Sequence, residues 1–90
     1  MRAPSFTGQF RRDVKRQEKR GKDMARLRAV MELLISGDSL ARELGDHSLK
    51  GEWKASRALH IEPDWILIYT PSGDAVRFER TGTHADLFNR

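Results

Sequence analysis

The stretch His60-Ile61-Glu62-Pro63-Asp64-Trp65-Ile66-Leu67-Ile68-Tyr69 constrains this chain more than any other. Proline, whose ring fixes φ, sits in the four-residue link Ile61–Asp64 between runs of β-branched and aromatic residues, the mark of a turn between strands. A second turn is written at Pro71-Ser72-Gly73-Asp74, followed by Ala75-Val76-Arg77-Phe78-Glu79-Arg80. Links this short join antiparallel neighbours, so three strands, the first over about Glu52–His60, are predicted to form a meander.

In an up-down-up meander, the end of the first strand, the start of the second and the end of the third meet at one edge. Those places hold His60, then Asp64 and Trp65, then Arg80 and, just past the strand, His84. With neighbouring strands about 4.8 Å apart, these side chains are expected to converge within roughly 10–12 Å. Two imidazoles, a carboxylate, a guanidinium and an indole at one rim make a candidate site.

Ahead of the meander the pattern is helical. Ala3–Phe6 suits an edge strand, because Pro4 tolerates only an edge. Thr7 is placed to cap a helix over about Gly8–Arg20, whose apolar positions Phe10 and Val14 form an i,i+4 pair in a basic surround. Gly21 ends it, Asp23 caps a second helix over Met24–Ser36, and Gly37 closes that one. Met24, Leu27, Met31 and Leu34, widened by Val30, Leu33 and Ile35, make it the main core helix, with methionine as packing filler. Leu40 and Leu44 suggest a helical turn within Asp38–Gly45.

The order is thus βααβββ in one domain spanning residues 1–90. The fold class is α+β, with two N-terminal helices on one face of a small antiparallel sheet. Alternation predicts that Val76, Phe78 and Arg80 share one sheet face, and Arg77 and Glu79 the other. The face away from the helices is expected to be concave, mixed in polarity and edged by histidines.

Charge narrows the partners. The net +4 conceals a block: residues 1–28 hold ten Arg or Lys against three Asp or Glu, whereas residues 29–90 are net acidic. A basic segment of this kind fits a polyanion, and its alternative is a merely solvated helix face. The chain has no cysteine, which removes disulfides and thiolate metal sites. No apolar run approaches the ~18–20 residues that span a bilayer, and no apolar segment of signal-peptide type opens the chain. The expectation is a soluble, cytoplasmic protein.

An imidazole exchanges protons near neutral pH, so histidines with a carboxylate suit a reaction that needs acid and base together. Arg80 offers a planar fork for a phosphate, and Trp65 and Phe88 offer flat faces for a base. These are the parts of a metal-independent ribonuclease in which the 2′-OH attacks the adjacent phosphate. Each part has a plainer use. A histidine such as His47 or His60 can be a surface residue, Trp65 can be core, Asp64 can be a turn residue, and Arg80 can pair with Glu79 on the surface. A zinc site from His47, His60, His84 and Asp64 lacks any recognised ligand spacing.

The segments His60–Tyr69 and Arg77-Phe78-Glu79-Arg80-Thr81-Gly82-Thr83-His84 closely resemble the YafQ branch of the RelE/ParE superfamily of bacterial toxins. Asp46-His47, Leu49, Gly51, Trp53-Lys54, Asp13-Val14-Lys15 and Lys22-Asp23-Met24 extend the likeness over nearly the whole chain from Gly8. The resemblance implies a RelE-type sheet and an endoribonuclease that cuts messenger RNA in the ribosomal A site, without a cofactor or metal. It also implies a cognate antitoxin that occludes the site or displaces His84 and the tail, and a monomer when free. By the same likeness the active-site residues are His47, His60, Asp64, Trp65, Arg80, His84 and Phe88. His84 is then the general acid, Asp64, His60 and His47 are candidates for the base, Arg80 binds the phosphate, and Trp65 and Phe88 shape a base pocket. Arg11, Arg12, Lys15, Arg16, Lys19 and Arg20 are expected to grip ribosomal RNA. Two other readings stay open: a ParE-like toxin that inhibits by binding alone, and a plain RNA-binding domain.

Overall fold

The computed structural model describes residues 1–88. Its elements run β1 (Ala3–Phe6), α1 (Gly8–Lys19), α2 (Met24–Ser36), β2 (His47–Ser48), β3 (Arg57–Glu62), β4 (Trp65–Ser72), β5 (Ala75–Gly82) and α3 (His84–Phe88). The sheet order is β1-β5-β4-β3-β2. The β3–β4–β5 meander is antiparallel, and β2 extends it on one edge. On the other edge β1 lies parallel to β5, so the sheet is mixed rather than wholly antiparallel. The two helices carry the chain from β1 across the sheet to β2 at the far edge, and the meander then returns β5 beside β1. No helix among the described residues is long and apolar enough to cross a membrane.

The helix signals act as the sequence predicts. Thr7 accepts the Phe10 N–H at 2.9 Å, Asp23 accepts the Ala25 N–H at 2.9 Å, and Gly37 closes α2 at φ 78°. The first meander strand starts later than expected. Gly51–Trp53 is a 3-10 turn that delivers Trp53 onto the sheet, and the strand proper begins at Arg57.

Strand β4 is buried on both faces. Trp65, Leu67 and Tyr69 pack under the helices with Phe10, Leu27, Val30, Leu34 and Phe78. Ile66 and Ile68 join Ala58 on the opposite face, where Leu49, Trp53, Leu87 and Phe88 cover them. At roughly 1.5–3 kcal/mol per buried large apolar side chain, β4 alone supplies much of the apolar burial.

Two bulges break the simple alternation. One falls between His60 and Glu62, so His60 pairs with Ile66 while Glu62 pairs with Trp65. The other pairs Tyr69 with Phe78 and Ile68 with Arg80, leaving Glu79 as the extra residue. The second corrects the expected face for Arg80: past the bulge it is Thr81, not Arg80, that takes the fully buried place after Phe78.

Helix α1 docks by polar groups as much as apolar ones. The expected Phe10–Val14 pair packs on the core, Val14 only partly buried, and Asp13 and Gln17 are buried beside it. The Asp13 carboxylate, 2% exposed, accepts from Arg80 Nε at 2.8 Å, Arg80 Nη2 at 3.1 Å and the Thr81 N–H at 3.2 Å. Glu79 meanwhile takes Arg77 at 2.7 Å, so the plainer alternative for Arg80, a surface pair with Glu79, does not form. Removing one partner of a buried pair strands the other. Asp13→Ala should therefore lower stability by about 3 kcal/mol, read as a shifted urea midpoint. A loss below about 1 kcal/mol would show that α1 docks through its apolar contacts alone.

Candidate active site

The turn Pro63–Asp64, the end of β5 and the short strand β2 bring histidines from three parts of the chain together. The His47 and His60 ring centroids are 6.1 Å apart, those of His60 and His84 are 5.7 Å apart, and the Phe88 ring follows at 6.3 Å from His84. With Leu49, Ala58 and Ile66 they line a pocket of ≈ 240 Å³ on the sheet face away from the helices. The expected gathering of His60, Asp64 and His84 at one rim is what the topology produces, and β2 adds His47.

Each imidazole is held by the same nitrogen. His47 Nδ1 lies 3.0 Å from the Gly45 carbonyl oxygen, and His60 Nδ1 lies 3.3 Å from that of Pro63. A carbonyl oxygen only accepts, so Nδ1 carries the hydrogen and Nε2 is left to exchange a proton. His84 Nδ1 lies 2.6 Å from Asp64 Oδ1, which also accepts the His84 backbone N–H at 2.9 Å. That backbone donor, then the imidazole, holds the Asp64 carboxyl below the ordinary carboxylate range.

Two of the sequence-predicted residues lie elsewhere. Trp65 is fully buried on the helix side, its indole N–H donating to Thr81 Oγ1 at 3.0 Å, so it presents no face to a base. Its plainer use as core holds because β4 enters the sheet at Trp65, on the face opposite Ile66 and His60. Arg80 does not line the histidine pocket; it turns to Asp13 on α1, and its Nη1 makes no hydrogen bond among the described residues. Of the basic residues, Arg12, Lys15, Arg16, Lys19 and Arg20 border one shallow depression, while Arg11 lies over the Phe6 ring at 5.9 Å.

Other residues support the site without having been singled out. Asp46, next to His47, accepts from the buried Tyr69 hydroxyl and from Arg57 Nε at 2.9 Å. Burial, then the hydrogen bond to Asp46, raises the Tyr69 phenol, keeping it a donor. Thr83 and Asp86 form a reciprocal cap on α3: the Thr83 N–H donates to Asp86 Oδ2 at 3.0 Å and the Asp86 N–H donates to Thr83 Oγ1 at 3.1 Å. The Thr-x-x-Asp spacing was a legible signal for this helix. Gly82 is glycine because a Cβ there would meet Asp86 Cβ at 2.9 Å. Among the described residues no three His, Cys, Asp or Glu side chains are grouped to hold a metal ion.

Kinship agrees with this geometry. The family model described as the bacterial toxin of type II toxin-antitoxin system, YafQ, matches residues 2–89. The chain is 51% identical over 84 residues to the mRNA interferase toxin YafQ of Escherichia coli K12, covering 92% of this chain and 91% of that protein. Among solved structures, the Escherichia coli DinJ-YafQ complex superposes with a TM-score of 0.92 at 49% identity, over 98% of this chain and 99% of the other. A metal-bound toxin from Helicobacter pylori gives a TM-score of 0.91 at 32% identity, over 98% of this chain and 100% of the other. A histidine-edged pocket on a mixed sheet, with sequence likeness along almost its whole length, makes this chain a member of the YafQ family of type II toxin–antitoxin toxins.

Proposed function

We propose that this chain is an endoribonuclease of the mRNA interferase kind, the toxin of a type II pair restrained by a cognate antitoxin, and that it acts on ribosome-bound message. The row of three imidazoles, each with Nδ1 engaged and Nε2 left over, is the observation that carries this reading. A toxin that only binds has no use for that arrangement.

The 2′-OH of the nucleotide before the cut attacks the neighbouring phosphorus, forming the 2′-O–P bond as the P–O5′ bond breaks. One proton must leave the 2′-OH and one must reach the 5′-oxygen. Nε2 of His84 supplies the latter, with Asp64 orienting its ring. Asp64 is a poor base: its oxygen already serves two His84 donors, and its carboxyl is held low. The base is therefore an imidazole of the His47–His60 pair. Arg80, held by Asp13 outside the pocket lining, has only Nη1 left to meet phosphate charge, and Phe88 at the end of the row is the stacking surface for a base. The products are a 2′,3′-cyclic phosphate and a free 5′-OH, and water is not consumed in the cut itself.

The exposed side chains of Arg12, Lys15 and Lys19 hold the ribosomal RNA backbone. Reversing all three charges should weaken ribosome binding and flatten its salt dependence by ~0.7–0.9 in slope for each phosphate no longer neutralised. Binding unchanged by the reversal removes this role.

His84→Ala should reduce cleavage by roughly 10²–10⁴-fold, mapped by primer extension on a translated message. Full activity in that variant would assign the acid elsewhere, and no cleavage by wild type would leave a binder. Because the Asp64 carboxyl is lowered in the folded protein, its contribution is complete above about pH 4 and is lost as pH falls through the lowered value. Between pH 5 and 8 it stays ionised. Asp64→Asn should thus lower cleavage by up to about 10²-fold without removing either limb of the pH–rate profile. A limb that vanished with the substitution would belong to Asp64.

A further inference from the structure

Helix α3 holds His84 in its first turn yet has only the residues His84–Phe88. A helix this short does not stand alone, so outside contacts must fix where His84 sits. Leu87 and Phe88 rest on the sheet, a contact that permits sliding. Beyond the two bonds from His84 to Asp64, the directional contacts converge on Asp86. Its Oδ2 accepts from Arg20 Nη1 at 2.6 Å and from Gln17 Nε2 at 3.2 Å; its Oδ1 accepts from Arg20 Nη2 at 3.2 Å. The same carboxylate caps Thr83, and Arg16 adds a longer contact at 3.7 Å. Gln17 is fully buried, and Gly82 leaves the room that Asp86 occupies. Asp86 does not line the histidine pocket.

We propose that Asp86, clasped by Arg20 and Gln17 of α1, is a positioning residue that holds the His84 imidazole against Asp64. It touches no reacting atom. Its carboxylate anchors the N-terminal turn of α3, and the bidentate Arg20 contact fixes the rotation of that turn about the sheet edge. The basic helix and the general acid thereby become one rigid unit, so the surface that docks RNA also sets the acid's position. This role rests on the nuclease reading above for its kinetic consequence, but not for its structural one.

The test pairs two readouts on the free toxin. Long-range ¹H–¹⁵N correlation of the imidazoles reports which ring nitrogen carries hydrogen. At a pH where the imidazoles are neutral, wild-type His84 should give the Nδ1–H pattern imposed by Asp64. Asp86→Ala should lose that pattern at His84 while leaving His47 and His60 unchanged, and should lower kcat by about 10–100-fold with KM within about twofold. Gly82→Ala, which presses on Asp86 from below, should give the same His84 signature by a separate route. If Asp86→Ala does not fold, Asp86→Asn keeps an acceptor for the Thr83 N–H, loses the Arg20 ion pair, and should give an intermediate shift. An unaltered His84 pattern in folded Asp86 variants overturns the proposal. If the pattern moves but wild type cuts no message, the nuclease reading fails and the clasp stands.

Discussion

A carboxylate buried between α1 and β5 organises this molecule. Asp13 offers two oxygens to an arginine fork and a backbone N–H, and so converts a largely basic, weakly apolar helix into one that docks in a single register. Apolar contacts alone would let α1 slide along its axis, because Phe10 is the one large apolar side chain it buries. Charge-assisted hydrogen bonds are directional and short-ranged, so they add a fixed position to the non-directional burial beneath. Gln17 and Arg20 repeat the device one and two turns on by taking hold of Asp86.

The sheet has two jobs, separated by its two faces. Towards the helices it is dry, with Trp65, Leu67, Tyr69 and Phe78 fully or almost fully buried. On the other face Ala58 and Ile66 form the floor of a pocket edged by histidines, while Ile68 packs beside them. The bulge at Ile61 adjoins this site at His60, whereas the one at Glu79 lies further along the sheet, opposite Ile68 and Tyr69. Each shifts the pleat by one residue, and the first does so next to the histidine pocket, a placement that bulges often have.

Imidazole chemistry depends on which nitrogen is available, and here backbone carbonyls and one carboxylate decide it. The Gly45 and Pro63 carbonyls and Asp64 each occupy an Nδ1. Small local features fix those acceptors: Gly45 turns at φ 59°, and Asp46 is braced by Tyr69 and Arg57. Excess positive charge lies on a different element, α1, on exposed side chains bordering a shallow depression. The basic surface and the histidine row are thus separated in space but linked by the contact of Arg20 with Asp86 of α3.

Much of this was legible in the one-dimensional pattern. Caps at Thr7, Asp23 and Gly37 bounded the helices, Pro63 and Gly73 placed the meander, and strand order alone put His60, Asp64 and His84 at one rim. What escaped it were partner choices. Arg80 sits beside Glu79 in the chain yet pairs with Asp13, and Trp65 sits beside Asp64 yet faces the core. Periodicity fixes which side chains share a face only while the pleat is unbroken, and a bulge is decided by packing across strands. Ion pairs between α1 and β5 join positions some 67 apart in sequence, and no local propensity encodes them. The sequence by itself determined the elements, their turns and the residue types of the site. The tertiary structure decided which faces those residues occupy and what holds them, because both depend on contacts that exist only once the sheet has closed against α1.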